Sequence, residues 1–164
     1  MHLLVSLYAV VDSGLWDAGT LRGWADSQIL EIERPSGWLL DLSLCGSVEA
    51  AQASLSAALQ EAGVVLPDSY GDLLAGCIVL GFERTSATEK ELLVRLVDAC
   101  DAYPVDVIEV SRLGELASAD AEAVARAWPE LAASMVPLLQ AARCEEERLR
   151  SEERTEADKA VLES

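Results

Sequence analysis

Apolar residues recur every three or four positions along most of this chain, and that spacing lines one face of an α-helix. The pattern is clearest between Ser47 and Gly63, where Val48, Ala51, Leu55, Ala58, Leu59 and Ala62 fall on one stripe. Ser47 is a good residue to accept the free N–H groups of a helix start, and Gly63 suits a helix end that turns to positive φ. Residues 3–13 are apolar with few breaks up to Gly14. They predict a buried first helix, with a strand as the other reading. Asp17 predicts the cap of a second helix, with Leu21, Trp24, Ala25, Gln28 and Ile32 on one face. Arg34-Pro35-Ser36-Gly37 ends it, because proline disfavours helix in the residue before it. A short apolar helix, Trp38–Leu44, follows and stops at Cys45-Gly46.

Pro67, Asp68 and Gly71 make residues 64–71 read as a connecting loop. Leu73–Phe82 is short and apolar, so a buried helix and a buried strand both fit. Ser86-Ala87-Thr88-Glu89 has the spacing of a capping box and predicts a helix with Leu92, Leu93, Leu96, Val97, Cys100 and Tyr103 on its apolar face, closed by Pro104. Val105–Val110 is strand-like, alternating apolar and acidic residues over Val105, Asp106 and Val107. From Ser118 a long helical pattern runs through Val124, Trp128, Leu131, Met135, Leu138 and Ala142. Pro129 and Pro137 are expected to kink it or restart it. Past Cys144 the stripe fades into acids and bases, with i, i+4 pairs Glu146–Arg150 and Arg148–Glu152. The expected fold is all-α, a bundle of about six or seven helices over residues 1–144, with 145–164 as a charged helical or disordered tail. The alternative is an α+β fold whose minimal sheet pairs residues 73–82 with 105–110.

The length, 164 residues, suits one domain. Charge changes the picture more. Twelve Lys and Arg face 29 Asp and Glu, a formal charge of −17. Up to residue 83 the only bases are Arg22 and Arg34. Affinity for nucleic acid and for anionic membrane surfaces comes largely from basic side chains, so neither is an expected partner. A basic protein is, since an acidic field attracts it and speeds its association. Ten Arg against two Lys hint at a GC-rich bacterial source. No positive segment precedes the apolar run Leu3–Val11, as a signal peptide requires. Leu73–Phe82 has about half the length a membrane span needs. A cytoplasmic location is the expectation.

Candidate chemistry is sparse. His2 is the only histidine, and it lacks the partners that would orient a general base. Cys45, Cys77, Cys100 and Cys144 stand far apart, unlike clustered zinc ligands. Asp98 and Asp101 flank Cys100 and disfavour its thiolate. No glycine-rich phosphate loop or calcium-loop spacing occurs. No catalytic residue, metal site or cofactor is expected. Trp16, Asp17, Trp24, Asp26, Trp38 and Asp41 place three indoles among three carboxylates. Tryptophan is frequent at binding hot spots and its ring face attracts cations. Trp24 falls on the apolar stripe, so Trp16, Asp17, Asp26, Trp38 and Asp41 are the candidate partner-binding residues, with Trp16 the better surface candidate.

In size, acidity and poverty of catalytic groups, the chain resembles immunity proteins of bacterial toxin systems, which neutralise a basic protein. No motif carries that resemblance. Its implication is a non-enzymatic acidic binding module, an inhibitor or chaperone of a basic protein. Two other readings stand beside it: an enzyme using paired carboxylates with metal assistance, and a homo-oligomeric scaffold dimerised through the Val124–Ala142 stripe.

Overall fold

In a computed structural model of the chain, residues 1–106, 110–151 and 155–163 are described, and their regular structure is entirely helical. The helices are α1 (Leu3–Asp12), α2 (Ala18–Glu31), α3 (Gly37–Leu44), α4 (Val48–Glu61), α5 (Tyr70–Glu83), α6 (Glu89–Ala102), α7 (Val110–Ser118), α8 (Ala121–Arg150) and α9 (Glu156–Leu162). The chain divides into two compact units. The first comprises Met1–Leu66 with Glu145–Ser164, and the second Pro67–Cys144.

In the first unit α1 is the central element. It buries Leu3, Leu4, Val5, Leu7, Ala9, Val10 and Val11, which is why its sequence has no polar face to give it a helical period. Its start is capped by His2, whose Nδ1 accepts the Leu4 N–H at 3.3 Å. The lone histidine therefore has a structural task. Asp17 accepts the Thr20 N–H at 2.7 Å and opens α2, and Ser47 does the same for α4. The turns after α1 and α4 use Gly14 and Gly63 at φ 66° and 62°, where a Cβ would be strained. α4 packs on α1 and α3, and α2 packs on α3.

The segment from Glu145 onward carries more packing than its charge suggests. Leu149, Leu162, Glu146 and Asp158 are all buried. Two carbonyls of α9 accept from the α3 region: Val161 from the Trp38 indole N–H and Leu162 from the Ser36 N–H. Arg148 ties the segment to itself and to α1. It donates to Glu145 at 2.7 Å, to Asp158 at 2.9 Å and to the Ser6 hydroxyl at 3.1 Å. Ser6 in turn donates to Glu145. The residues from Glu145 onward, expected from sequence as a charged tail, group with Met1–Leu66. The sparse apolar positions Leu149 and Leu162 reach the core while paired charges satisfy one another around them. The Arg148–Glu152 pair lies outside the described residues.

Burial raises the Glu145 carboxyl, but hydrogen bonds from Arg148 and Ser6 and the Arg148 charge outweigh it, leaving the group below its ordinary 4.5. Asp158 is buried as well, yet Thr155 and Arg148 hold it below its ordinary 3.8. A carboxyl depressed in the folded state stabilises above its unfolded pKa and loses that contribution as pH falls through the folded value. Stability is therefore expected to fall on acidification below about pH 5. Arg148→Met should flatten that fall while lowering stability at neutral pH. Urea melts of both proteins between neutral and acid pH check this, and parallel pH profiles would refute the assignment.

In the second unit Leu73–Phe82 lies within α5, which buries ten of its fourteen residues from Tyr70 to Leu80. Burial on all sides explains why its sequence could be read either way. The proposed sheet is not formed: 73–82 is helical, Pro104–Asp106 carry neither helix nor strand, and α7 begins at Val110. Val107–Glu109 lie outside the described residues. The capping box is real but sits two residues later than its sequence pattern, with Thr88 as cap and Glu91 returning the bond. Tyr70 and Tyr103 meet edge to face at 4.7 Å, and Phe82 meets Trp128 at 5.9 Å. Pro129 and Pro137 stand inside α8 without ending it. Each removes one i→i−4 hydrogen bond. The buried stripe of Val124, Leu131, Met135, Leu138 and Ala142 keeps the helix in place across both gaps.

Candidate functional site

α3 and α4 of the first unit border a groove of about 440 Å³. α3 contributes Trp38 and Asp41, its C-cap contributes Cys45, and α4 contributes Ser54, Ala58 and Glu61. On each helix these positions follow a three- and four-residue spacing, which sets them in a line. Leu39 and Leu42 anchor the buried side of α3, and Leu55 and Leu59 that of α4. The groove thus lies beside the seam where the two helices pack. Asp41 and Glu61 are exposed and Trp38 is half-buried. The Trp38 indole N–H donates to the Val161 carbonyl at 3.3 Å, which fixes the ring. Burial, then the Asp41 charge, pushes the Cys45 thiol up, so the groove's thiol stays protonated and is a poor nucleophile. Two carboxylates beside an aromatic ring in a partly apolar groove suit a cationic side chain.

Of the five residues singled out in the sequence, the structure brings Trp38 and Asp41 together in this groove. Asp17 serves as the α2 cap, and Asp26 is exposed on α2. Trp16 is the main correction. It is 1% exposed, so it is not a surface residue, and its indole N–H donates to buried Glu146 at 3.0 Å. Arg150 pairs with Glu146 at 3.0 Å and lies 5.1 Å from the centre of the Trp16 ring. The Glu146–Arg150 pair read from helix spacing does form. Its target, Trp16, is 130 positions away in the chain, beyond the reach of local pattern. Trp24 is core, as its stripe predicts: it is 7% exposed and donates to the Leu149 carbonyl at 2.8 Å. Sequence reasoning missed Glu61 and Cys45. The signal was polar Ser54 and Glu61, one turn either side of Ala58 at the edge of the apolar stripe of α4.

Elsewhere, Cys77 is buried, Cys100 half-buried and Cys144 exposed. Burial, Asp101 and then Asp72 push the Cys100 thiol up. Among the described residues, no group of three or more His, Cys, Asp or Glu is placed to hold a metal ion. No helix of the described residues is long and apolar enough to cross a membrane.

The chain matches no protein-family model, no curated protein and no solved structure. The geometry of the groove therefore carries the functional reading alone.

Proposed function

We propose that the protein is a non-enzymatic binding module for a basic protein, acting as its inhibitor or chaperone in the manner of an immunity protein, and that the groove between α3 and α4 receives a lysine or arginine of that partner. The observation that carries the reading is the pairing of Asp41 and Glu61 with the Trp38 ring in one groove. A guanidinium or ammonium group there would meet carboxylate acceptors and an aromatic face together. The charge of −17 supplies the long-range attraction. Charge steering of this kind weakens as salt shortens its range to about 10 Å at 0.1 M.

The test is capture from the native host's lysate with wild type and with the double variant Asp41→Asn/Glu61→Gln. Both changes are at exposed positions and should leave the fold intact. A basic protein retained by wild type at low salt, released at high salt and lost from the variant is the expected result. Equal retention by both proteins would refute the groove, and retention unaffected by salt would refute the electrostatic reading.

A further inference from the structure

α3 exposes more than the groove. Leu44 is 82% exposed and Leu40 is 42% exposed, one helical turn apart. Each residue of an α-helix turns by about 100°. Going round α3 from buried Leu42 and Leu39, the positions run Ser43, Leu40, Leu44, Gly37, Asp41, Cys45 and Trp38. Leu44 and Asp41 are separated by only about 60°. The apolar pair therefore adjoins the groove, with Asp41 at the border between them. An isolated exposed leucine needs no explanation. Two on one face beside a tryptophan-lined groove form an apolar ledge with an acidic edge.

The charges around the ledge select its occupant. Asp26, Glu31, Glu33, Asp41, Glu49 and Glu61 of the α2–α4 region are all exposed, against Arg22 and Arg34. A second copy of a chain with charge −17 would bring like fields together, which opposes association. A basic surface gains from the same field.

We infer that the ledge Leu40–Leu44 and the groove of Trp38, Asp41 and Glu61 form one composite docking surface, whose occupant is a segment of a partner protein carrying a lysine or arginine next to an apolar side chain. This rests on the reading of the groove given above and adds the apolar half of the recognition. Burying a leucine against Leu40 and Leu44 supplies affinity that salt does not screen, while the carboxylates supply direction and rate.

Three short synthetic helical peptides test it, titrated into the isotopically labelled full chain and followed by backbone amide shifts. One carries lysine with leucine one turn apart, one replaces leucine by serine, and one replaces lysine by glutamate. The lysine–leucine peptide should bind about tenfold more tightly than the lysine–serine peptide, a preference of about 1.4 kcal/mol, with shifts centred on residues 38–45. Leu40→Ser/Leu44→Ser should abolish that preference and leave the lysine–serine affinity unchanged. Asp41→Asn/Glu61→Gln should weaken both lysine peptides. Circular dichroism checks that the variants remain folded. Equal binding of the two lysine peptides, with shifts still at the groove, would overturn the composite surface and leave the groove standing. No binding of either lysine peptide would overturn the groove itself. Tightest binding of the glutamate peptide, or a dimer of the chain that Leu40→Ser/Leu44→Ser dissolves, would overturn the choice of a basic partner.

Discussion

Glu146→Ala should lower the stability of the first unit by about 2–3 kcal/mol, the upper part of the range for stranding a buried polar group. Glu146 is 3% exposed and accepts from the Trp16 indole at 3.0 Å and from Arg150 at 3.1 and 3.0 Å. Removing it takes away the carboxylate acceptor of a buried indole N–H. It also frees Arg150 from the position in which its guanidinium covers the ring. The Arg150 share is small because that side chain is 54% exposed, and exposed pairs contribute about 0–1 kcal/mol. Glu146→Gln keeps an oxygen acceptor for the indole and should cost less. The diagnostic comparison is a cycle with Trp16→Phe, which removes the donor. On that background Glu146→Ala should lose most of its effect, since coupled residues are not additive. Urea unfolding followed by tryptophan fluorescence measures all four proteins. A loss below about 0.5 kcal/mol for Glu146→Ala, the range of ordinary surface changes, would contradict this account of the buried carboxylate.

Gly76→Ala should destabilise the second unit although alanine is the better helix former. A Cβ at Gly76 would stand 2.4 Å from the Leu138 carbonyl oxygen and 3.1 Å from the Ala142 Cβ. The obstacle is the backbone of α8, which cannot rotate aside as a side chain can. Overpacking costs about 1–3 kcal/mol and occasionally more, whereas the gain in helix propensity is about 1 kcal/mol. The clash wins. Gly23→Ala in α2 is the matched opposite, because its Cβ meets nothing within 4 Å. There the propensity gain stands alone, and stability should rise by about 0.5–1 kcal/mol. Thermal melts of the two variants should move in opposite directions. A melting temperature for Gly76→Ala at or above that of wild type would mean that α5 and α8 do not approach so closely.

Helix positions were legible in the sequence where one face was buried and the other wet, as in α2, α4 and α6. Asp17, Ser47 and Gly63 were readable for the same reason, because capping is local chemistry. α5 was not, since a segment buried on all sides loses its period. The continuity of α8 through two prolines was hidden as well. Its flanking contacts, not its own hydrogen bonds, decide whether it survives. The site divided along the same line. Trp38 and Asp41 share one short helix, so their spacing alone brought them together. Trp16 looked like a surface residue because it precedes a helix, but its fate is set by Glu146 and Arg150 at the far end of the chain. Glu61 went unseen because its polar neighbours on α4 mark only the edge of that helix's apolar stripe, and pairing α3 with α4 is a tertiary event.

Gly37 offers the most direct approach to the proposed binding site. It lines the groove, and a Cβ built there meets nothing within 4 Å. A photoreactive phenylalanine analogue in its place should crosslink the partner inside native host cells. Gly114 of α7 is equally free of obstruction and serves as the control position. The account predicts a crosslink to one basic protein from position 37, absent from position 114 and lost when Asp41→Asn/Glu61→Gln is added. No adduct from position 37, or the same adducts from both positions, would contradict it.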